Sequence, residues 1–145
     1  MSKNEKQQFV TLKMPDGGDE KINPKAVLVI RDPTDIERDE TPEVASCIWG
    51  KGFRLYPAET VSQLVAKLPS LKLARLTTPG GMFTLVNAEA VTDRDDPSRL
   101  NDHVNTRSVL IFGADSTAPR VRVRETLADL ERIWRNMGVP TDPFQ

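Results

Sequence analysis

The chain has 145 residues, 38% of them hydrophobic and 28% charged, a composition that folds and a length that gives one domain or two very small ones. Twenty basic side chains against 21 acidic ones leave a net charge of −1, which removes bulk charge as an argument for nucleic acid or an anionic membrane surface. A single cysteine, Cys47, excludes an internal disulfide and a cysteine-rich zinc site, and makes a reducing cytoplasm the expected location.

Residues 1–8, "MSKNEKQQ", read as a flexible polar segment with no apolar stretch for a leader or an anchor. Residues 9–68 then predict four strands and a helix. "FVTLK" is a short strand, and "MPDGG" carries the proline and glycines of a tight reversal. A second extended stretch follows, with a bend at Asn23-Pro24. A long polar loop, 31–43, leads to the apolar strand "VASCIWG". The fourth strand alternates, Phe53 and Leu55 on one face and Arg54 and Tyr56 on the other. Thr60 and Gln63 form a capping box, and Val61, Leu64, Val65 and Leu68 make one helical stripe.

After a short linker, 69–72, residues 73–137 repeat this order. "LARLT" is followed by a "TPGG" turn, a second stretch, the loop 93–107 and the strand "SVLIFG". The next strand places Val121 and Val123 on one face and Arg120, Arg122 and Arg124 on the other. Thr126 and Asp129 cap a helix carrying Leu127, Leu130, Ile133, Trp134 and Met137. Gly138 and Pro140 end it, and 138–145 reads as a flexible tail, Phe144 included.

Segments 9–33 and 73–97 share eight identities in 25 positions, among them Leu12/Leu76, Gly17/Gly81, Asn23/Asn87 and Pro33/Pro97; composition alone gives about one or two. Further on, Ile48/Ile111, Trp49/Phe112 and Gly50/Gly113 match. With three extra residues allowed in the second turn, Arg54/Arg120, Glu59/Glu125, Thr60/Thr126 and Leu64/Leu130 match as well. The expectation is an α+β fold of two pseudo-symmetric ββββα repeats, mostly antiparallel, packed into one compact body, because modules of roughly 60 residues bury little surface alone.

Catalytic chemistry is sparse. The one histidine, His103, stands beside Asp102 in a loop and reads as an exposed loop residue, not as the base of a nucleophile. Cys47 reads as a buried inert thiol. "DRDD" (93–96) lacks the spacing of a hard-cation loop, and "PGG" and "GKG" lack the lysine-hydroxyl pair of a phosphate cradle. No enzyme, metal or cofactor is expected.

Copy one resembles the small bacterial flagellar and swarming-motility proteins of the FlbD type. It does so through Ile22-Asn23-Pro24, the Gly50-Lys51 turn and the helix start Glu59-Thr60-Val61 with Leu64. Copy two follows more loosely, with Ala88 in place of the proline. The resemblance implies a cytoplasmic, non-enzymatic accessory protein linked to motility.

Two features remain as candidate partner surfaces. The long loops carry Asp35 and Arg38 in the first copy and Arg99 and His103 in the second. The strand faces carry Arg54 and Tyr56, or the stripe Arg120, Arg122 and Arg124, which Arg132 and Arg135 extend. Arginine forks suit phosphate and carboxylate. The expected function is an adaptor that binds another protein through its loops or exposed sheet face. The alternative is a nucleic-acid-binding regulator that uses the arginine stripe, and a scarcity of aromatic platforms weighs against it.

Overall fold

The computed structural model describes residues 9–100 and 102–145. It is α+β with antiparallel strand pairing, and the chain divides into two compact units, one ending at Leu71 and the other beginning at Lys72.

In unit 1, β1 (Val10–Lys13) and β2 (Asp19–Ile22) form a hairpin running from Val10 opposite Ile22 to Lys13 opposite Asp19. The turn closes with the Gly17 N–H on the Met14 carbonyl at 3.0 Å, with Gly17 at φ +87°. Any side chain there would be strained, which is why a glycine follows Pro15-Asp16. Asn23 then accepts the Lys25 N–H at 3.0 Å and Pro24 opens a 3-10 turn over Pro24–Ala26. The single bent strand expected across Asn23-Pro24 is therefore two strands separated by this turn.

Next come β3 (Val27–Arg31), α1 (Asp35–Glu40), β4 (Cys47–Gly50) and β5 (Phe53–Leu55), with the strands ordered β5-β4-β3. Helix α1 lies in what the sequence reads as plain loop. Thr34 accepts the Glu37 N–H at 3.2 Å while Glu37 accepts the Thr34 N–H at 2.8 Å, a reciprocal cap that starts a helix. Gly50 is required by space: a Cβ there would lie 2.3 Å from the Phe53 ring and 2.5 Å from the Ala26 carbonyl. Helix α2 (Val61–Lys67) begins at the expected Thr60–Gln63 box and buries Leu64, with Leu68 buried at its end. Val65, placed in the apolar stripe by sequence, is exposed.

Unit 2 has the same order of strands, without a counterpart of α1 among the described residues. The hairpin β6 (Leu73–Thr77) and β7 (Phe83–Asn87) leads through a 3-10 turn over Ala88–Ala90 to β8 (Asp93–Asp95), β9 (Ser108–Ile111) and β10 (Arg120–Val123), ordered β10-β9-β8. Helix α3 (Leu127–Asn136) buries Leu130 and Trp134. Each unit thus holds five strands, not four. The segment after Gly138 is packed, in contrast to the flexible tail expected. Val139 is buried, and Phe144, 3% exposed, sets its ring edge-on to Trp134 with centroids 4.9 Å apart. Burial of a large aromatic outweighs the entropy that keeps polar ends loose.

Several hydrogen bonds recur unit by unit. The Lys13 N–H donates to Glu59 at 2.9 Å, and the Thr77 N–H to Glu125 at 3.0 Å. Ser46 Oγ donates to the Glu59 carbonyl at 2.7 Å, and Ser108 Oγ to that of Glu125 at 2.8 Å. The Ala58 and Arg124 N–H groups donate to the Lys13 and Thr77 carbonyls, each at 2.8 Å. The strand registers also shift the residue correspondence expected from sequence. Trp49 stands opposite Arg54, and Ile111 opposite Arg120. Trp49 therefore corresponds to Ile111, not Phe112, and Ile48 to Leu110. Five positions separate the first pair and nine the second, so the turn in unit 2 has four extra residues instead of three.

Candidate functional site

The candidate residues divide between the units. Asp35, Arg38, Arg54 and Tyr56 belong to unit 1, and Arg99, His103, Arg120, Arg122 and Arg124 to unit 2.

In unit 1, α1 is fixed to the strand before it. Arg31, at the end of β3, makes a two-pronged ion pair with Glu37 at 2.9 and 3.1 Å. That guanidinium, helped by the Thr34 N–H, holds the Glu37 carboxyl down to about 2. Tyr56 lies beside Glu37, and its phenol is pushed up, first by burial and then by its neighbours Cys47 and Glu37. Tyr56, Glu37, Glu40, Thr41 and Val44 line a recess of about 300 Å³. Asp35 and Arg38 pair with each other along the exposed side of the helix at 3.7 Å. Arg54 lies over the Trp49 ring, 5.2 Å from its centroid, a cation–π contact. The β3 ladder places Cys47 opposite Arg31, buried, and burial raises its thiol, so it is no ready nucleophile.

In unit 2 Arg120 and Arg122 lie on one face of β10 as expected, with Arg124 just beyond its end, and all three have protein acceptors. Arg120 pairs with Asp95 at 3.1 Å and Arg122 with Asp102. Arg124 places Nε and Nη2 on the Pro79 carbonyl at 3.0 and 2.8 Å. On α3, Arg132 pairs with Asp129 at 3.3 Å and Arg135 with Glu131 at 3.8 Å. Each guanidinium thus has part of its donor set, and in four of the five its charge, met by the protein itself.

The second long loop is ordered by its own polar groups. Asp102 takes the Ser98 N–H at 2.6 Å on one oxygen and Arg122 on the other, and these two donors hold its carboxyl below the usual carboxylate range. The Thr106 N–H donates to the His103 carbonyl, and Arg107 to the Val104 carbonyl, both at 2.9 Å. Ser98, Arg99, Asp102, His103, Val104 and Thr106 line a recess of about 380 Å³. Arg99 and His103 are thus brought together, with Arg122 behind them through Asp102. The sequence reading missed the aliphatic residues between them. Leu100 is 95% exposed and Val104 83%, while Ile36 on α1 is 71% exposed. Their signal was an apolar residue inside an otherwise polar loop.

Among the described residues, no group of three or more histidine, cysteine or acidic side chains is arranged to hold a metal, and no helix is long and apolar enough to cross a membrane. No family model matches this chain, nor does any curated protein or solved structure. The likeness to flagellar accessory proteins rests on the sequence motif alone, and in this fold its Asn23-Pro24 element opens a 3-10 turn.

Proposed function

We propose that this protein is a cytoplasmic, non-enzymatic adaptor that binds another protein through its two long loops. One observation carries the reading. The three most exposed large aliphatic side chains among the described residues are Leu100 and Val104 in the second loop and Ile36 on α1, within the segment that joins β3 to β4. Removing such side chains from water on contact contributes about 1.5–3 kcal/mol each, and loops already ordered by internal bonds lose little entropy on docking. The paired arginines weigh against phosphate recognition as the main role, since Asp95 and Asp102 beside Arg120 and Arg122 repel a second anion.

The test is a tagged pull-down with and without nuclease. It uses the wild type, Ile36→Ser, a Leu100→Ser/Val104→Ser double variant and an Arg120/Arg122/Arg124→Ala triple variant. A protein partner that survives nuclease and the triple change, and is weakened about tenfold or more by the double change, is the expected result. Nucleic acid captured by the wild type and lost with the triple variant would replace this reading with the regulator. Metabolite-dependent stabilisation of the folded chain would point to an enzyme instead.

A further inference from the structure

We infer that the recess in the 97–106 loop of unit 2 receives the carboxylate of an acidic side chain on the partner protein, an inference that rests on the loop-mediated adaptor reading. The argument is a count of donors and acceptors. Among the described residues that line the recess the one acid, Asp102, already takes a donor on each oxygen, the Ser98 N–H at 2.6 Å on one and Arg122 on the other. Its charge is already met by the Arg122 guanidinium, which weakens its pull on a second cation.

The donors are in the opposite state. Thr106, 3% exposed, is the buried member of the lining, and its Oγ1 has no hydrogen-bond partner among the described residues. A buried hydroxyl without a partner has lost its water and gained nothing in exchange. Arg99 has no acidic partner among those residues, whereas Arg94, Arg120 and Arg122 are each paired to Asp96, Asp95 and Asp102. His103 Nδ1 accepts the Asn105 N–H at 3.0 Å, which leaves the ring proton on Nε2 as a further donor.

Donors in excess around a partly enclosed space call for an acceptor with two oxygens, and a guanidinium prefers a planar carboxylate. A phosphate dianion fits less well, because it would bring a second negative charge beside Asp102. Val104 lines the recess and is 83% exposed, and Leu100, next in sequence to Arg99, is 95% exposed, so the favoured segment carries aliphatic side chains next to its acid.

The experiment is an amide NMR titration of the full chain with a blocked hexapeptide, Ala-Leu-Glu-Asp-Leu-Ala. The control arms are the Gln/Asn and Lys/Lys versions of that peptide, sodium glutarate and sodium phosphate. The inference expects saturable shifts among amides 98–107 with the acidic peptide alone. Arg99→Ala and Thr106→Val should each weaken binding about tenfold, and Thr106→Ser, which keeps the hydroxyl, should restore most of it. Should Thr106→Val lower the melting temperature sharply, the exposed Arg99→Ala variant decides.

Equal binding of the Gln/Asn or Lys/Lys peptide overturns the inference. So does binding of glutarate or phosphate as tight as that of the peptide, and so does the absence of saturable shifts. If the peptide gives no shifts while Leu100→Ser/Val104→Ser still loses its partner in the pull-down, this inference falls and the adaptor reading stands. If the partner survives that double change, both fall.

Discussion

Glu59 accepts the Lys13 N–H at 2.9 Å and the Lys67 ammonium at 2.7 Å, and it is itself buried. Burial pulls its carboxyl up, but the bonds from Lys67 and Lys13 prevail and keep it below the ordinary range. Glu125 holds the Thr77 N–H in unit 2, where no lysine joins it among the ion pairs described. Removing a buried acceptor leaves its donor unmet, at about 1–3 kcal/mol. Glu59→Ala should therefore destabilise the chain by about that much, and Glu59→Gln, which keeps one acceptor oxygen, by less; urea denaturation measures both. The sequence shows the two glutamates at matched positions before a helix, which hides what they do. Their partner is a backbone N–H some 46 positions away, and no local pattern records a contact of that range.

At the scale of elements, legibility follows how local the cause is. The Thr60 and Thr126 boxes announce their helices in four letters, and both form. The same signal stands in "TDIE" ahead of α1, where the surrounding prolines and charges drew the reading toward loop. The last residues show the opposite case. "GVPTDPFQ" looks loose because Val139 and Phe144 gain order only from Trp134 and its surroundings, a tertiary effect. Phe144→Ala should lower stability by about 3–5 kcal/mol, the usual cost of emptying an aromatic site. Calorimetry on the full chain checks this, and a loss below about 0.5 kcal/mol would place Phe144 outside the core. The alternation in β10 was fully legible, but the pairing of its arginines was not, since Asp95, Asp102 and Pro79 come from three other segments.

Across the whole molecule, the depressed carboxyls all act in one direction. Glu37 is held at about 2 instead of 4.5, and Glu59, Asp102, Asp115 and Asp129 are lowered as well. The unfolded chain binds protons at these groups before the folded one does. Their contribution is therefore complete above the ordinary carboxylate range and lost as pH falls from about 4.5 toward 2. A melting temperature measured from pH 7 down to pH 2 should hold steady to about pH 5 and then decline. In Glu37→Gln the decline should be shallower, from a lower starting value. The chain's near-neutral total conceals this, because composition counts charges without saying which are paired.

The two tryptophans fall one to each unit, Trp49 half-buried beneath the Arg54 guanidinium and Trp134 fully buried beside Phe144. Their fluorescence should differ in colour, with the half-exposed indole emitting to the red of the enclosed one. Trp49→Phe leaves a spectrum that reports on unit 2 alone, and Trp134→Phe one that reports on unit 1. The protein thus carries an intrinsic optical label in each half, and a melt in which one band moves before the other would be visible without adding a dye.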